Sequence, residues 1–458
     1  MRKAALHNLG CKVNAYETES MRQLLEQAGY QIVSFEESAD VYVVNTCSVT
    51  NIADRKSRQM LHRARKNNPN AAVVAAGCYV QTAQEQAQAD GAIDILIGNN
   101  KKHELPALLE QFFEKQQLES EMQNSGKDTF HGILAVEEIA KDPVYEKLAV
   151  SRTAEHARAF VKVQDGCNQF CSYCIIPYAR GRVRSREIED VVGEVERLAI
   201  SGCREIVLTG IHLSSYGVDF GTHLLHLIEK VHQVPGIDRI RLGSLEPKIV
   251  TEEFAGRLAE LSKVCPHFHL SLQSGCDTVL QRMNRKYTCA EYAKGCEILR
   301  KYFAHPAITT DVIVGFPGET EEEFEMTRKF LKKIGFFEIH IFKYSRRKGT
   351  RAAKMENQVP EEIKNTRSER LFSDLAKMNE AYLSWYLGRE TEVLLEEKVT
   401  IHEKEYFLGH TKEYVKVAVV AEGRQDEDCA NRIVRGTVVS KLKDHVLLMK
   451  TVSDIKID

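Results

Sequence analysis

Cys167-Asn168-Gln169-Phe170-Cys171-Ser172-Tyr173-Cys174 is the stretch on which the reading of this chain turns. It sets three cysteines in a CxxxCxxC spacing directly after a short β-like run at 160–164. The chain holds 12 cysteines in 458 residues, so this spacing arises by accident in roughly one such chain in a hundred. Structural zinc prefers paired C-x₂₋₄-C ligands across a longer loop, and no fourth ligand stands nearby here.

Three thiolates on a four-iron cluster leave one iron without a protein ligand. S-adenosylmethionine (SAM) can chelate that iron, accept an electron into its sulfonium and break at S–C5′. The product is a radical able to remove hydrogen from unactivated carbon. Tyr173, between the second and third cysteines, is an aromatic suited to lie beside an adenine, with local packing as its other reading. A closed electron-carrying site needs four cysteines, so a non-catalytic iron–sulfur redox protein that binds RNA is the alternative from another class.

Outward from the motif, strand-like runs at 160–164, 205–209, 239–243, 267–273, 307–314 and 338–342 alternate with helical stretches such as 187–200 and 320–334. Six such pairs predict a partial parallel (β/α)6 barrel over 158–386. Upstream, runs at 4–9, 41–46, 71–76 and 93–97 flank helical patterns at 14–29 and 52–67. They predict an open parallel sheet domain over 1–116. The polar stretch 117–157, with a turn signal at 124–128 and one apolar run at 132–136, reads as a linker. After a charged helix at 361–386 come β-rich runs at 391–395, 414–420, 433–441 and 445–450. These predict a small antiparallel β-barrel of about five strands over 387–458, a type that often binds nucleic acid. The fold class is α/β with a small β-barrel at its end.

Cys11, Cys47 and Cys78 are far apart in sequence, but each directly follows a predicted strand. The carboxyl ends of parallel strands share one edge of a sheet, so these thiols should converge there. A second open-sided cluster is one reading and ordinary buried thiols the other. Cys203, Cys265, Cys276, Cys289, Cys296 and Cys429 have no such context and read as packing or surface residues. At the barrel, Thr209 and Gly210 end the second strand, Glu246 follows the third and Gln273 the fourth. Strand ends are where barrels build active sites, which makes these four candidates for SAM binding.

Net charge is only −2, from 63 Lys plus Arg against 65 Asp plus Glu, so nucleic acid would have to be met by local patches. Three basic clusters offer them: Arg55, Lys56, Arg58, Arg63, Arg65 and Lys66; Arg180, Arg182, Arg184 and Arg186; and Arg346, Arg347, Lys348 and Arg351. No stretch nears the roughly 18 uninterrupted apolar residues of a membrane span. The start, Met1-Arg2-Lys3-Ala4-Ala5, shows no secretory pattern, and the cytoplasmic compartment is expected.

Gly10-Cys11-Lys12-Val13-Asn14 with Glu17, Asn45-Thr46-Cys47, Gly77-Cys78 and Ile175 to Gly181 after the cysteine motif form a pattern. Ser244 to Pro247, Leu272 to Gly275 and Asp311 to Gly318 extend it. With these the chain resembles the radical-SAM methylthiotransferases over nearly its whole length. The resemblance implies a [4Fe-4S] cluster for SAM on Cys167, Cys171 and Cys174, and an auxiliary, sulfur-delivering [4Fe-4S] cluster on Cys11, Cys47 and Cys78. It also implies a carboxy-terminal barrel of the TRAM type, and two SAM molecules per turnover, one for methyl and one for the radical that acts at C2 of an adenine. tRNA is the implied partner, and an electron donor and a sulfur source are needed besides.

Members of that family act on tRNA adenosine bearing N6-isopentenyl or N6-threonylcarbamoyl, or on an aspartate of a ribosomal protein. Gly10-Cys11-Lys12-Val13-Asn14 is similar to the threonylcarbamoyladenosine enzymes, whereas the others typically read Gly-Cys-Gln-Met-Asn and Gly-Cys-Pro-Lys-Asn. A threonyl carboxylate calls for a cation such as Lys12 or Arg180. Either could instead be a surface or phosphate-contacting residue.

Overall fold

The computed structural model describes residues 1–122, 132–139, 144–152, 157–420 and 430–451. The first layer is a sheet of β1 (Lys3–Asn8), β2 (Gln31–Ile32), β3 (Val41–Thr46), β4 (Ala72–Gly77), β5 (Ile95–Ile97) and β6 (Ile133–Ala135). Its order is β2-β1-β3-β4-β5-β6, parallel throughout. β3 and β4 are buried at every position, as their unbroken small and β-branched residues require of strands covered on both faces. The helices α1 (Lys12–Gln27) and α2 (Asn51–Asn67) follow β1 and β3. Thr50 starts α2 by accepting the Ala53 N–H.

Much of the stretch expected to be a linker belongs to the fold. Ile133–Ala135 pairs with β5 as the sixth strand, and Leu148 and Val150 are buried in the core of the second unit. A strand three residues long and only partly covered carries too little periodicity to be recognised. The turn signal at 124–128 lies outside the described residues.

The second unit contains β7 (Arg158–Asp165), β8 (Arg184–Ser185), β9 (Glu205–Gly210), β10 (Arg239–Leu242), β11 (His267–His269), β12 (Ala307–Val314) and β13 (Glu338–Lys343). Six of these run parallel in the order β7-β9-β10-β11-β12-β13. Bridges at Ile240 with Val264 and Leu245 with Leu270 join β10 to the β11 side. β8 pairs antiparallel with β7. Among the described residues nothing pairs β13 with β7, so the barrel is partial, as expected. Ile206, Leu208, Ile240, Leu242, Phe268 and Leu270 share one core with the outer helices. The alternate positions Arg158, Glu205, Arg239, Arg241, His267, His269 and Asp311 therefore face the lumen.

The long helix Glu361–Ser384 leads to β14 (Glu390–Ile401), β15 (Lys404–His410), β16 (Lys416–Val420), β17 (Ile433–Lys443) and β18 (Val446–Thr451). These close into a barrel in the order β14-β15-β16-β18-β17. One pair departs from the expected antiparallel pattern: β16 and β18 run parallel. The run that forms β15 was not anticipated, because its charged start and its Gly409-His410 end dilute the apolar alternation. This small barrel also closes the floor of the larger one. Arg239 donates to the His410 carbonyl and Arg241 to the Lys412 carbonyl, both at 2.8 Å. Tyr414 stacks on His267 at 5.2 Å, under the guanidinium groups of Arg158 and Arg241.

A chain cut after Tyr386 would strand Arg239 and Arg241 without these carbonyls and uncover Leu383 and Tyr386, which pack in the small barrel's core. We expect it to lose on the order of 3 kcal/mol of stability, read as a lowered urea midpoint. An unchanged midpoint would make the small barrel an independent appendage.

Candidate active site

Cys11, Cys47 and Cys78 stand at the carboxyl ends of β1, β3 and β4, three neighbouring strands. The local chain is built for their approach. Gly10 has φ +112°, and a Cβ there would meet the Cys47 sulfur at 3.1 Å. Gly77 has φ +98°, and a Cβ would meet Asn45 Oδ1 at 2.7 Å. Asn14 ties the strand ends together by donating to the carbonyls of Leu9 (2.7 Å) and Thr46 (3.0 Å). Burial, then the neighbouring Cys78, pushes the Cys47 thiol up to about 12.

Cys167, Cys171 and Cys174 follow β7 on the corresponding rim of the barrel. Their loop is clamped by the segment after the helix Asp277–Arg282. Ser172 donates its backbone N–H to the Met283 carbonyl (3.0 Å) and its hydroxyl to that of Arg282 (2.9 Å), and Asn284 donates to Phe170 O (2.9 Å). Burial pushes Cys174 up to about 12 and Cys167 to about 11. Tyr173 packs edge-on against Phe316 at 6.5 Å. Thr209, Gly210, Glu246 and Gln273 lie on this same rim, at or just beyond the ends of β9, β10 and β11.

Three groups that the sequence did not single out join the site: Gln169 within the loop, and His212 and Arg285 beside it. Arg285 donates to Cys171 Sγ at 3.2 Å and lies 3.1 Å from Glu246. Gln169 donates to Glu246 Oε2 at 3.2 Å, and His212 lies 3.3 Å from it. Glu246 Oε1, Arg285 Nη2 and His212 Nε2 are nonetheless buried without a well-aligned hydrogen bond. Orphaned polar atoms of this kind suit a polar ligand. Arg285 arrives from more than 100 residues away, so only the fold reveals it.

The two cysteine sets adjoin. The helix that begins at Cys78 packs on the short helix Ile176–Arg180 that follows Cys174. Between sheet and barrel lies a buried ionic junction. Glu17 of α1 accepts from Arg180 (2.9 Å) and Lys162 (2.8 Å) and lies 3.1 Å from Lys102. Asp165 lies 2.6 Å from Lys162 and 3.1 Å from Arg180. Burial alone would raise the Glu17 carboxyl, but Arg180, Lys102 and Lys162 hold it well below its usual range.

This geometry corrects one expectation. Arg180 is fully buried and its Nη atoms are taken by Glu17, Asp165 and Asn14, so it offers no free charge to a substrate. Lys12 differs. It retains contact with solvent and has no hydrogen-bond or ion-pair partner among the described residues. The groups that act on it, Arg241, Arg158, Asp311 and Glu205, come from four barrel strands and all face the lumen. Lys12 therefore stands on the lumen side of α1, within electrostatic reach of these groups. Partial burial, then Arg241 and Arg158, lowers its pKa, while Asp311 and Glu205 oppose the shift.

The basic clusters are redistributed likewise. Arg184 and Arg186 join Arg180 inside the protein, leaving Arg182 exposed. Arg347 is buried on Asp54 (2.6 Å) and Ser48 (2.8 Å). Arg55, Lys56 and Arg58 on α2 remain exposed, as do Arg346, Lys348 and Arg351. Arg347 and the bond from Asn51 to Arg346 O join these two groups into one basic surface near Cys47. Of the other cysteines, Cys203, Cys265, Cys276 and Cys296 are buried and Cys289 is partly buried, whereas Cys429 lies outside the described residues.

Residues 161–331 match the Radical SAM superfamily and residues 3–98 the Uncharacterized protein family UPF0004. The chain is 42% identical to the threonylcarbamoyladenosine tRNA methylthiotransferase MtaB of Bacillus subtilis (strain 168), over 95% of this chain and 93% of that one. Its counterpart in Aquifex aeolicus (strain VF5) is 39% identical over 88% and 95%. The chain belongs to the radical-SAM methylthiotransferases. The tRNA-2-methylthio-N(6)-dimethylallyladenosine synthase of Caldicellulosiruptor saccharolyticus is 37% identical over 84% of this chain and 80% of its own. Among solved structures, the radical SAM methyltransferase TsrM from Kitasatospora setae shares the fold, with a TM-score of 0.54 and 16% identity over 75% of this chain and 72% of that one.

A radical-SAM methylthiotransferase uses two [4Fe-4S] clusters and SAM, and the residues present fit them. Each set supplies three free thiols. N–H groups of Gln169, Asn99 and Arg285 point at Cys167, Cys78 and Cys171 sulfurs at 3.5, 3.7 and 3.2 Å, as cluster thiolates favour. Neither set draws its sulfurs within the 4.8 Å mutual reach of a single-ion site, which a larger cluster does not need. A metal's charge would oppose the effect of burial, which raises the Cys11, Cys47, Cys167 and Cys174 thiols.

Replacing Glu17 by Ala would leave Arg180, Lys162 and Lys102 facing one carboxylate fewer. We expect a loss of about 3–5 kcal/mol at neutral pH, read by urea unfolding. Because the folded pKa of Glu17 is depressed, its contribution is complete above the ordinary value of 4.5 and is lost as the pH falls through the folded value. The gap between wild type and Glu17→Gln should therefore close on acidification. A pH-independent gap would remove the charge from the explanation.

Proposed function

We propose that this chain attaches a methylthio group to C2 of N6-threonylcarbamoyladenosine beside the anticodon of tRNA. One observation carries the reading: two adjoining three-cysteine sets, on the rims of two parallel sheets, with Lys12 beside one of those cysteines and in electrostatic reach of the lumen groups. The relatives named threonylcarbamoyladenosine tRNA methylthiotransferases support the substrate.

In this reading Cys167, Cys171 and Cys174 hold the cluster that binds SAM, and Cys11, Cys47 and Cys78 hold the auxiliary one. When bound, the clusters and SAM supply the electron, the hydrogen-abstracting radical and the methylthio sulfur. Glu246 and Arg285, with Tyr173, Thr209, Gly210 and Gln273 on the same rim, position SAM. The floor made by Tyr414 and His410 keeps bulk water from entering below. Lys12 pairs with the threonyl carboxylate. The basic surface formed by α2 and residues 346–351 holds tRNA phosphates, in the cytoplasm.

Replacing either cysteine set by Ala should remove about half of the iron of anaerobically reconstituted protein. Loss of the Cys167 set should also end cleavage of SAM to 5′-deoxyadenosine. Zinc in place of iron would defeat the mechanism. Purified enzyme should modify threonylcarbamoyladenosine tRNA on the order of 100-fold better than isopentenyladenosine tRNA, because an apolar group leaves Lys12 unpaired. Mass spectrometry of the product nucleoside decides it, and a methylthio group found mainly on isopentenyladenosine would refute the substrate.

A further inference from the structure

Three lumen side chains take no part in the cluster sites or the ionic junction. His269 on β11, Asp311 on β12 and His340 on β13 bring one ligand atom each within 4.8 Å of the others. They occupy neighbouring strands in register, since His269 faces Thr309 and Asp311 faces His340. His269 is fixed at both ring nitrogens, by Thr309 Oγ1 at Nδ1 (3.0 Å) and by Asp311 Oδ2 at Nε2 (3.2 Å). Its ring stacks on His340 at 5.6 Å. His340 is exposed to solvent, on the last strand before the gap in the barrel, and its nitrogens have no partner among the described residues. Apart from His269, the Asp311 carboxylate has no hydrogen-bonded partner there either. Asp311 is also the first of the anions that act on Lys12. One Asp311 oxygen and the His340 imidazole thus stand unused on adjoining lumen strands, with the Lys12 ammonium in electrostatic reach of Asp311.

We propose that His269, Asp311 and His340 form the subsite that reads the threonyl hydroxyl, with Lys12 taking the adjoining carboxylate. This rests on the threonylcarbamoyl reading of the substrate and deepens it. A hydroxyl is both donor and acceptor. It can donate to the Asp311 oxygen that His269 leaves free and accept from the His340 N–H. His269, anchored by Thr309, holds Asp311 in place and acts as a positioning residue. The carboxylate one carbon away meets Lys12, which enters from α1 on the other unit. A substituent that fills this place with no hydroxyl covers the free Asp311 oxygen and the His340 N–H without pairing them, and sites built for a hydroxyl reject such analogues strongly.

The test compares tRNA bearing N6-threonylcarbamoyladenosine with tRNA bearing N6-glycinylcarbamoyladenosine, which keeps the urea and the carboxylate but lacks the hydroxyethyl arm. Reconstituted wild-type enzyme should favour the threonyl substrate by roughly 10-fold or more in kcat/KM. Asp311→Asn and His340→Ala should bring that ratio close to one, whereas Lys12→Ala should lower both rates and preserve it. A folding defect lowers both rates together, so the ratio isolates recognition, and exposed His340 is the safer site for substitution. An active wild type whose ratio survives in both variants overturns this inference alone. A wild type inactive on both tRNAs overturns the substrate reading and this inference with it. Stoichiometric zinc or manganese that disappears in Asp311→Asn and His340→Ala would also overturn it, by making the trio a metal site.

Discussion

The Glu17 carboxylate, sealed inside the protein and surrounded by Arg180, Lys162 and Lys102, is the constraint on which the rest depends. A lone carboxylate so placed would cost several kcal/mol, and so would each lone cation. They are stable only together, and they come from different units: Glu17 and Lys102 from the sheet domain, Lys162, Asp165 and Arg180 from the barrel. Unlike an apolar contact, such a junction does not tolerate sliding, because displacement leaves charges unpaired. Its members are chain neighbours of the cysteines: Glu17 lies in the helix capped by Cys11, Asp165 just before Cys167 and Arg180 just after Cys174. The bond that fixes the units therefore also fixes the two thiol sets relative to each other. The buried cations Lys102, Lys162, Arg180 and Arg184 outnumber the carboxylates Glu17, Asp165 and Glu146 by one. The surplus lies beside the sheet edge that carries the cysteines, as a site for an anionic group requires.

The lumen is the second consequence. Its roof is the cysteine rim and its floor is Tyr414, held by Arg239 and Arg241 through the carbonyls of residues 410–412. A small β-barrel of a type that often binds nucleic acid thus also completes the larger one. Chemistry on one carbon of a large substrate requires that the reacting base be enclosed while the rest stays outside. The gap between β13 and β7 and the exposed basic residues of α2 and the 346–351 loop meet the two halves of that requirement.

Regular elements were legible because periodicity reports burial. The expected runs at 41–46 and 307–314 coincide with β3 and β12 to the residue, since both are long and covered. The cysteines at the ends of β1, β3 and β4 were legible for a topological reason, as parallel strands bring their ends together whatever the sequence between them. The fate of a charge was not legible. Arg180 and Arg182 look alike in sequence, yet one is buried on two carboxylates and the other is exposed. Partners that the fold brings to Arg180, Glu17 from more than 160 residues away among them, separate the two. Arg285, His269 and His340 were missed for the same reason, each meaningful only through partners on other strands.

Lys12 shows how a short motif can be read more finely than by its cysteine. Gly10 and Cys11 lie in the turn before α1, and Lys12, Val13 and Asn14 open the helix, where successive residues project about 100° apart, so the five serve different surroundings. Gly10 leaves room for Cys47, and Cys11 turns to the sheet edge. Val13 is buried, and Asn14 binds the ends of β1 and β3 and receives Arg180. Four of the five positions are thus committed to building the cluster edge or anchoring it. Of their side chains, Lys12 alone stands exposed with no partner among the described residues, and the groups that act on it belong to the lumen. A residue at this position can change without disturbing the cluster edge, while its charge meets whatever enters the lumen. In the proposed reading, discrimination between a charged and an apolar substituent on the same adenine then resides in a single side chain next to Cys11, a part that Arg180, locked in the junction by Glu17, Asp165 and Asn14, is not free to take.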